Sequence, residues 1–203
     1  AFAGMPIWGR FAKSYTGAAR CLTSNQHLIT KVYFPRLIMP IASSIGGLVD
    51  FCLSLILLTC VIAIAGIVPT PAIFAAPLFV AMAILTGMAV GTWVAVLSVR
   101  YRDVGRIAGF MFSFWMWLTP VAYSSEIIIN NKNIPAAWRG VVDAAFQLNP
   151  MFVVVEGFRW SVLGHTYGQP TALSGASVAI LLCILVGGMF YFRRTEATIA
   201  DII

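Results

Sequence analysis

Charged residues are scarce in this chain: Asp, Glu, Lys and Arg make up 10% of its 203 residues, against about 25% in a soluble domain. No stretch has the form G-x-x-x-x-G-K-[ST], H-E-x-x-H, G-x-S-x-G or C-x-x-C, so the sequence offers no phosphate loop to bind and hydrolyse ATP and no recognisable catalytic set. The four cysteines, Cys21, Cys52, Cys60 and Cys183, lack paired metal-ligand spacing and fall mostly in apolar runs. They read as small buried hydrophobes without a redox role. A starting Met is missing too, as is a charged leader followed by a short apolar core, so the opening Ala1-Phe2-Ala3 reads as a truncated start with spans expected upstream.

What is present is apolar: 60% of residues are hydrophobic and the mean hydropathy is +0.91. Composition alone implies an all-α integral membrane protein, and the length allows a single membrane domain, 1–203. A hydrocarbon core of about 30 Å takes about 20 helical residues. From Leu37 to Val99 the only charge is Asp50, and Val68-Pro69-Thr70-Pro71 divides the run, since two prolines cannot both continue a helix. That predicts spans over Arg36–Ile67 and Ala72–Val99 joined by a tight hairpin. Ile107–Ser125 is just long enough for a third, and Leu173–Phe192 makes a fourth.

Positive charge orients these four spans. Lys31 and Arg36 precede the first, Arg100, Arg102 and Arg106 separate the second and third, and Arg193 and Arg194 follow the last, all on one side. On the other side, segment 124–172 balances Lys132, Arg139 and Arg159 with Glu126, Asp143 and Glu156. The formal charge of +6 therefore gathers on the expected cytoplasmic face, where it meets membrane lipids or a partner, and nucleic acid is not needed to explain it. In segment 1–30, Arg10, Lys13 and Arg20 interrupt apolar positions at helical spacing. Two readings stand: an amphipathic interfacial helix, or part of a preceding span lining a wet cavity.

Asn25 to Arg36, with Asn25, Gln26, His27, Lys31, Tyr33 and Phe34, reads as a short amphipathic helix ended by Pro35: an interfacial anchor, or a lever docking on another protein. The turn Val99-Arg100-Tyr101-Arg102-Asp103-Val104 serves topology or presents a fixed charged face. Asp50, taken as mid-span, is costly unless it faces a wet lumen, caps a neighbouring helix or relays protons. The other three apolar cores hold no Lys, Arg or His to partner it. In the third span Phe110, Phe114 and Trp117 share a helical face, with Tyr123 beyond Thr119-Pro120. Such a face packs on lipid or neighbours, or forms a ladder over which sugar rings slide. Segment 124–165 holds two apolar pieces, Pro135–Leu148 and, after Asn149-Pro150, Met151–Leu163, each too short to span. They read as re-entrant or interfacial helices, with Glu156 and Arg159 placed to pair on a helix surface.

With those residues placed, the chain resembles type-2 ABC transporter permeases, specifically the polysaccharide-export permeases for O-antigen, teichoic-acid and related glycans. The likeness runs in order through Ala3-Gly4-Met5-Pro6-Ile7-Trp8, Leu28 to Pro40, Val99 to Val104, Leu118-Thr119-Pro120-Val121-Ala122-Tyr123, Leu148-Asn149-Pro150-Met151 and Glu156-Gly157-Phe158-Arg159-Trp160. It implies six spans per subunit in a homodimer, with residues 1–24 in the second span, which favours the wet-span reading. It also implies two copies of a separate ABC ATPase that holds ATP and Mg, so that this chain carries no cofactor, metal or catalytic residue. Residues 25–36 would be the coupling helix on that ATPase, joined by Arg100, Arg102 and Asp103. Residues 124–165 would form an outer gate using Pro120, Asn149, Pro150, Glu156, Arg159 and Trp160. Phe110, Phe114, Trp117 and Tyr123 would line the path of a lipid-linked glycan through the bacterial inner membrane, with the C-terminus cytoplasmic. Two other functions fit the residues: a membrane enzyme of glycan or lipid assembly using Asp50, Glu156 or Asp143 as acid or base, and a type-2 permease for small molecules.

Overall fold

A computed structural model describes residues 3–24, 37–66, 70–101, 103–123, 135–164 and 172–202, and the described residues are almost wholly helical. Helix α1, Gly4–Ser24, is followed by the short α2, Ile38–Ile45, and by α3, Leu48–Ile64. A 3-10 turn, Pro71–Ala75, leads into α4, Ala76–Arg100, and after a tight turn comes α5, Val104–Leu118. Helices α6, Ala136–Leu148, and α7, Pro150–Leu163, meet at a bend of 91°. Helix α8, Ala172–Ile202, closes the chain. Three stretches have the length and composition to cross a bilayer: Ile38–Ile64, Pro71–Arg100 and Leu173–Thr195, with the bent α6–α7 pair as a further broken span or re-entrant loop.

The structure redraws several expected boundaries. The first expected span is two helices, because Gly46 turns extended and Gly47 takes a φ of +79°, a left-handed conformation open to glycine. Asp50 consequently lies in the first turn of α3, where the positive end of the helix dipole favours a carboxylate, while still near the middle of the Ile38–Ile64 stretch. The third expected span, Ile107–Ser125, is the 15-residue α5, about 22 Å long and short of a bilayer core. Its last turn stops before Thr119, whose backbone is extended, as expected of a residue preceding proline. The last helix does not end at Phe192 but runs through Arg193 and Arg194 to Ile202.

Helix α1 sits at the centre. It makes its most extensive contact with α4 and also meets α2, α3 and α7. Ile7, Phe11, Ala18, Cys21 and Leu22 are sealed from solvent, so α1 is no surface-lying interfacial helix. The close approach of α4 follows from a ladder of small residues, Ala83, Gly87, Gly91 and Ala95, repeating every four positions. A Cβ on Gly87 would lie 2.8 Å from the Phe11 carbonyl oxygen, and one on Gly91 2.7 Å from that of Tyr15. This is the small-xxx-small packing by which helices associate in membranes, where apolar burial between helices supplies no drive. Rings of α1 and α5 interlock beside it, with Tyr15 stacked on Phe112 at 4.4 Å and Phe11 edge-on to Trp115 at 5.3 Å. By contrast α3 and α8 expose Leu53, Ile56, Leu57, Val186 and Phe190, faces suited to hydrocarbon. Of the cysteines only Cys21 is buried. Cys52, Cys60 and Cys183 lie on the exposed faces of α3 and α8, against the expectation for them, because a span apolar all round gives no signal of which side turns inward.

Gly91→Ala is expected to destabilise the protein by about 1–3 kcal/mol through overpacking. Gly175→Ala, where nothing lies within 4 Å of the added carbon, should be neutral or stabilising by up to about 1 kcal/mol through helix propensity. Thermal unfolding of both variants in detergent checks the opposite signs.

Candidate functional site

Two interruptions of helical backbone dominate the interior, and an arginine holds each. The first follows α5. Thr119 donates its N–H to the Trp115 carbonyl at 2.9 Å, and the chain turns through Pro120, Val121, Ala122 and Tyr123. The carbonyls of Val121 and Tyr123 point at Arg159 of α7, which donates Nη2 to the former at 2.6 Å and Nη1 to the latter at 3.2 Å. Nη1 also bonds Glu156 Oε1 at 2.9 Å. Glu156 and Arg159 were expected on a helix surface, yet their side chains are 7% and 8% exposed, because α7 is buried along almost its whole length. Gly4 of α1 abuts the same cluster: a Cβ there would stand 2.8 Å from the Val121 oxygen and 2.9 Å from Arg159 Nη2.

Asn149, at the α6–α7 bend, ties that turn to the helix pair. Its Oδ1 caps α7 by accepting the Met151 N–H at 3.1 Å and also accepts Trp115 Nε1 at 3.3 Å. Its Nδ2 donates to Thr119 Oγ1 at 3.1 Å. Pro150 occupies the first helical position, where a missing N–H costs nothing. Pro120, Asn149, Pro150, Glu156 and Arg159 therefore form one cluster, while Trp160 packs at the edge of the neighbouring core and Tyr123 donates its hydroxyl to the Trp117 carbonyl at 2.8 Å. Sequence reasoning missed Trp115, Thr119 and Gly4 as members. Thr119 and Gly4 stood in stretches quoted for the family likeness, but the bond from Asn149 to Thr119 spans 30 residues and the closeness of Gly4 to Arg159 is a contact between distant helices, so neither role had a local signal.

The second interruption is the Gly46–Gly47 break. Arg10 of α1, only 1% exposed, donates Nη2 to the Ser44 carbonyl at 2.7 Å and Nη1 to that of Gly46 at 2.6 Å, with Ile45 at 3.3 Å. Ser14 adds an Oγ bond to Ser44 at 2.9 Å. The last carbonyls of α2 are thus satisfied by a cation at the negative end of its dipole. One turn on, Lys13 pairs with Asp50 across the break. The partner that Asp50 lacked in the apolar spans lies in α1, the segment whose charges left its role undecided.

Phe110, Phe114 and Trp117 are exposed on the outer face of α5, whereas Phe112 and Trp115 turn inward onto α1. An apolar hollow of about 460 Å³ lies along α5, bordered by Tyr15, Val94, Phe112 and Phe114. At the start of α5, Asp103 and Arg106 make an exposed pair at 3.8 Å, worth little in stability, and in the turn before it Arg100 lies over the Tyr101 ring. Asn25, Gln26, His27, Lys31, Tyr33, Phe34 and Arg102 lie outside the described residues. The three carboxylates named as acid or base are separated on α3, α6 and α7 and each is engaged: Asp50 by Lys13, Glu156 by Arg159, and Asp143 by Gln147 at 2.9 Å.

Among the described residues the chain is an all-helical, multi-pass membrane protein with broken helices clasped in its interior, a build met in permeases. Residues 23–163 match the family model of the ABC-2 type transporter, and the chain belongs to that family. It is 26% identical over 196 residues to the O-antigen export system permease protein RfbA of Myxococcus xanthus, covering 96% of this chain and 72% of that protein. It is 22% identical over 126 residues to the O-antigen export system permease protein RfbA of Klebsiella pneumoniae, covering 62% of this chain and 49% of that one.

Removing the buried guanidinium strands a carboxylate and two carbonyls, so Arg159→Gln is expected to cost about 3–5 kcal/mol, and Glu156→Gln clearly less. Because the carbonyls remain orphaned, combining Glu156→Gln with Arg159→Gln should not restore stability. Tryptophan-monitored unfolding of the three variants separates the clasp from the ion pair.

Proposed function

We propose that this chain is the membrane subunit of an ATP-driven exporter that moves a lipid-linked polysaccharide across the bacterial cytoplasmic membrane. The observation that carries the reading is the match along 96% of the chain to an O-antigen export permease. In this scheme ATP and Mg act on a separate ABC ATPase, present in two copies beside two copies of this chain, and the permease needs no cofactor of its own. Residues 25–36, with Arg100, Arg102 and Asp103, form the cytoplasmic docking surface, and the C-terminus lies on the same side. The positive charge that gathers at these segments supports the orientation.

Closure of the ATPase pair pulls on the coupling helix, and α2 and α3 are the first elements beyond it. Residues 124–165 form the outer gate, hinged at Asn149 and anchored through Arg159 to the end of α5. The exposed face of Phe110, Phe114 and Trp117 offers sugar rings broad apolar contact with few directional bonds, which suits a chain that must slide. That face also favours a glycan over a small polar cargo, and it is the observation that sets the exporter above the small-molecule permease.

The first test is ATP hydrolysis by the reconstituted permease–ATPase complex, with and without a lipid-linked glycan. Wild type should show glycan-stimulated hydrolysis, and His27→Ala combined with Lys31→Glu should lose or uncouple it. Absence of any association with an ATPase would overturn the exporter reading. A second test replaces Phe110, Phe114 and Trp117 together with Ala. Thermal stability should hold, since the three are exposed in the subunit, while glycan export falls by at least about tenfold, equivalent to about 1.4 kcal/mol at the rate-limiting step.

A further inference from the structure

An amphipathic cleft runs along the outer face of α1 where it meets α2 and α3. Its deeper part, about 290 Å³, is bordered on α1 by Met5 and Pro6 and on α3 by Leu57, Leu58 and Val61, and is almost wholly apolar there. A wider, more open part of about 580 Å³ continues past Thr16 and Arg20 to Ser24. The two parts meet at Lys13, Gly47 and Asp50. Along α1 the distance from Arg20 to Met5 is about 22 Å at about 1.5 Å per residue, so polarity falls from charged to hydrocarbon over roughly the depth of one leaflet with its headgroups.

Charge in the cleft is unbalanced. Arg10 lies buried behind it, its Nη donors taken by carbonyls, while among the described residues Lys13 and Arg20 share a single carboxylate, Asp50, and Arg20 has no carboxylate within ion-pair distance. Lys13 and Asp50 keep about half their side-chain surface exposed, an expensive state at membrane depth unless water or a polar headgroup fills the space beside them. An anion with an apolar tail satisfies both ends of the cleft: its phosphate takes the excess positive charge and its chain covers Leu57, Leu58 and Val61.

The geometry points to a resident anionic phospholipid seated in this cleft, its phosphodiester between Arg20 and Lys13 and its acyl chain against α3, in competition with Asp50 for the Lys13 ammonium. This goes beyond the exporter reading and does not depend on it, because it needs neither ATPase nor cargo.

The test titrates phosphatidylglycerol and phosphatidylcholine into delipidated full-length permease, reading bound lipid by native mass spectrometry and stabilisation by thermal shift. Phosphatidylglycerol should bind at least about fivefold more tightly than phosphatidylcholine, and Arg20→Gln and Lys13→Gln should each weaken it about fivefold, the effect of one basic residue near a lipid phosphate. Asp50→Asn should do the reverse and tighten it, because the competitor for Lys13 is gone. A structural ion pair alone would make Lys13→Gln and Asp50→Asn act in the same direction, and that result overturns the assignment. So does equal binding of the two phospholipids, or a prenyl phosphate that outcompetes phosphatidylglycerol, which would give the cleft to the cargo's carrier.

Discussion

Backbone carbonyls have nowhere to turn in hydrocarbon, and every interruption of a helix at membrane depth must be repaired by another part of the protein. At the α6–α7 bend the repair is the Asn149 side chain, and at the other two breaks it is a guanidinium. Arg10 gathers the carbonyls at the end of α2, and Arg159 gathers those of the turn after α5. An arginine suits the task because its donors splay in a rigid fork that can meet two or three acceptors at once, and because it stays charged when buried. A lysine would supply a point charge without the fork. The two clasps differ in their counter-charge: Arg159 has Glu156 one turn away, while Arg10, with no carboxylate in ion-pair distance among the described residues, meets oriented carbonyl dipoles.

Both clasps converge on α1. Arg10 belongs to it, and Gly4 near its start leaves room for the Arg159 cluster. The rest of α1 is pressed onto α4 through Gly87 and Gly91, with rings from α5 locked against it. A helix carrying three basic residues is therefore the centre of the fold. Its apolar side makes the core, and its charged side faces the α2–α3 break and the adjoining cleft. This arrangement links the two breaks mechanically, since a shift of α1 relative to α4 would disturb both sets of carbonyls together. A permease that alternates between states needs such paired, discrete contacts rather than a uniformly soft interior.

Much of the candidate site was legible in one dimension. Pro120, Asn149 and Pro150 mark chain breaks by residue chemistry alone, and the helices end within a residue or two of them. Glu156 and Arg159 were rightly paired at three residues' separation, but their burial was not visible, because a helix apolar on most sides looks the same in lipid as in a protein core. The break at Gly46–Gly47 was missed, since two glycines inside a long apolar run are common in membrane helices and need not interrupt them. The missed break then hid the setting of Asp50, which reads as a costly, unpartnered mid-span charge in the sequence and in the structure is a first-turn carboxylate of that same stretch with a lysine partner.

The sequence by itself determined the all-helical membrane class, the apolar runs and the proline-marked ends, because each follows from composition or from neighbours within a turn of helix. Only the tertiary structure decided which cation serves which acceptor and which aromatic residues turn inward. Arg10 reaches Gly46 across 36 residues, Arg159 reaches Val121 across 38, and Lys13 meets Asp50 across 37. Helical periodicity assigns a residue to a face of its own helix and says nothing of what that face will meet. In this chain the deciding contacts are made between helices far apart in sequence, at the points where hydrocarbon leaves a carbonyl no other partner.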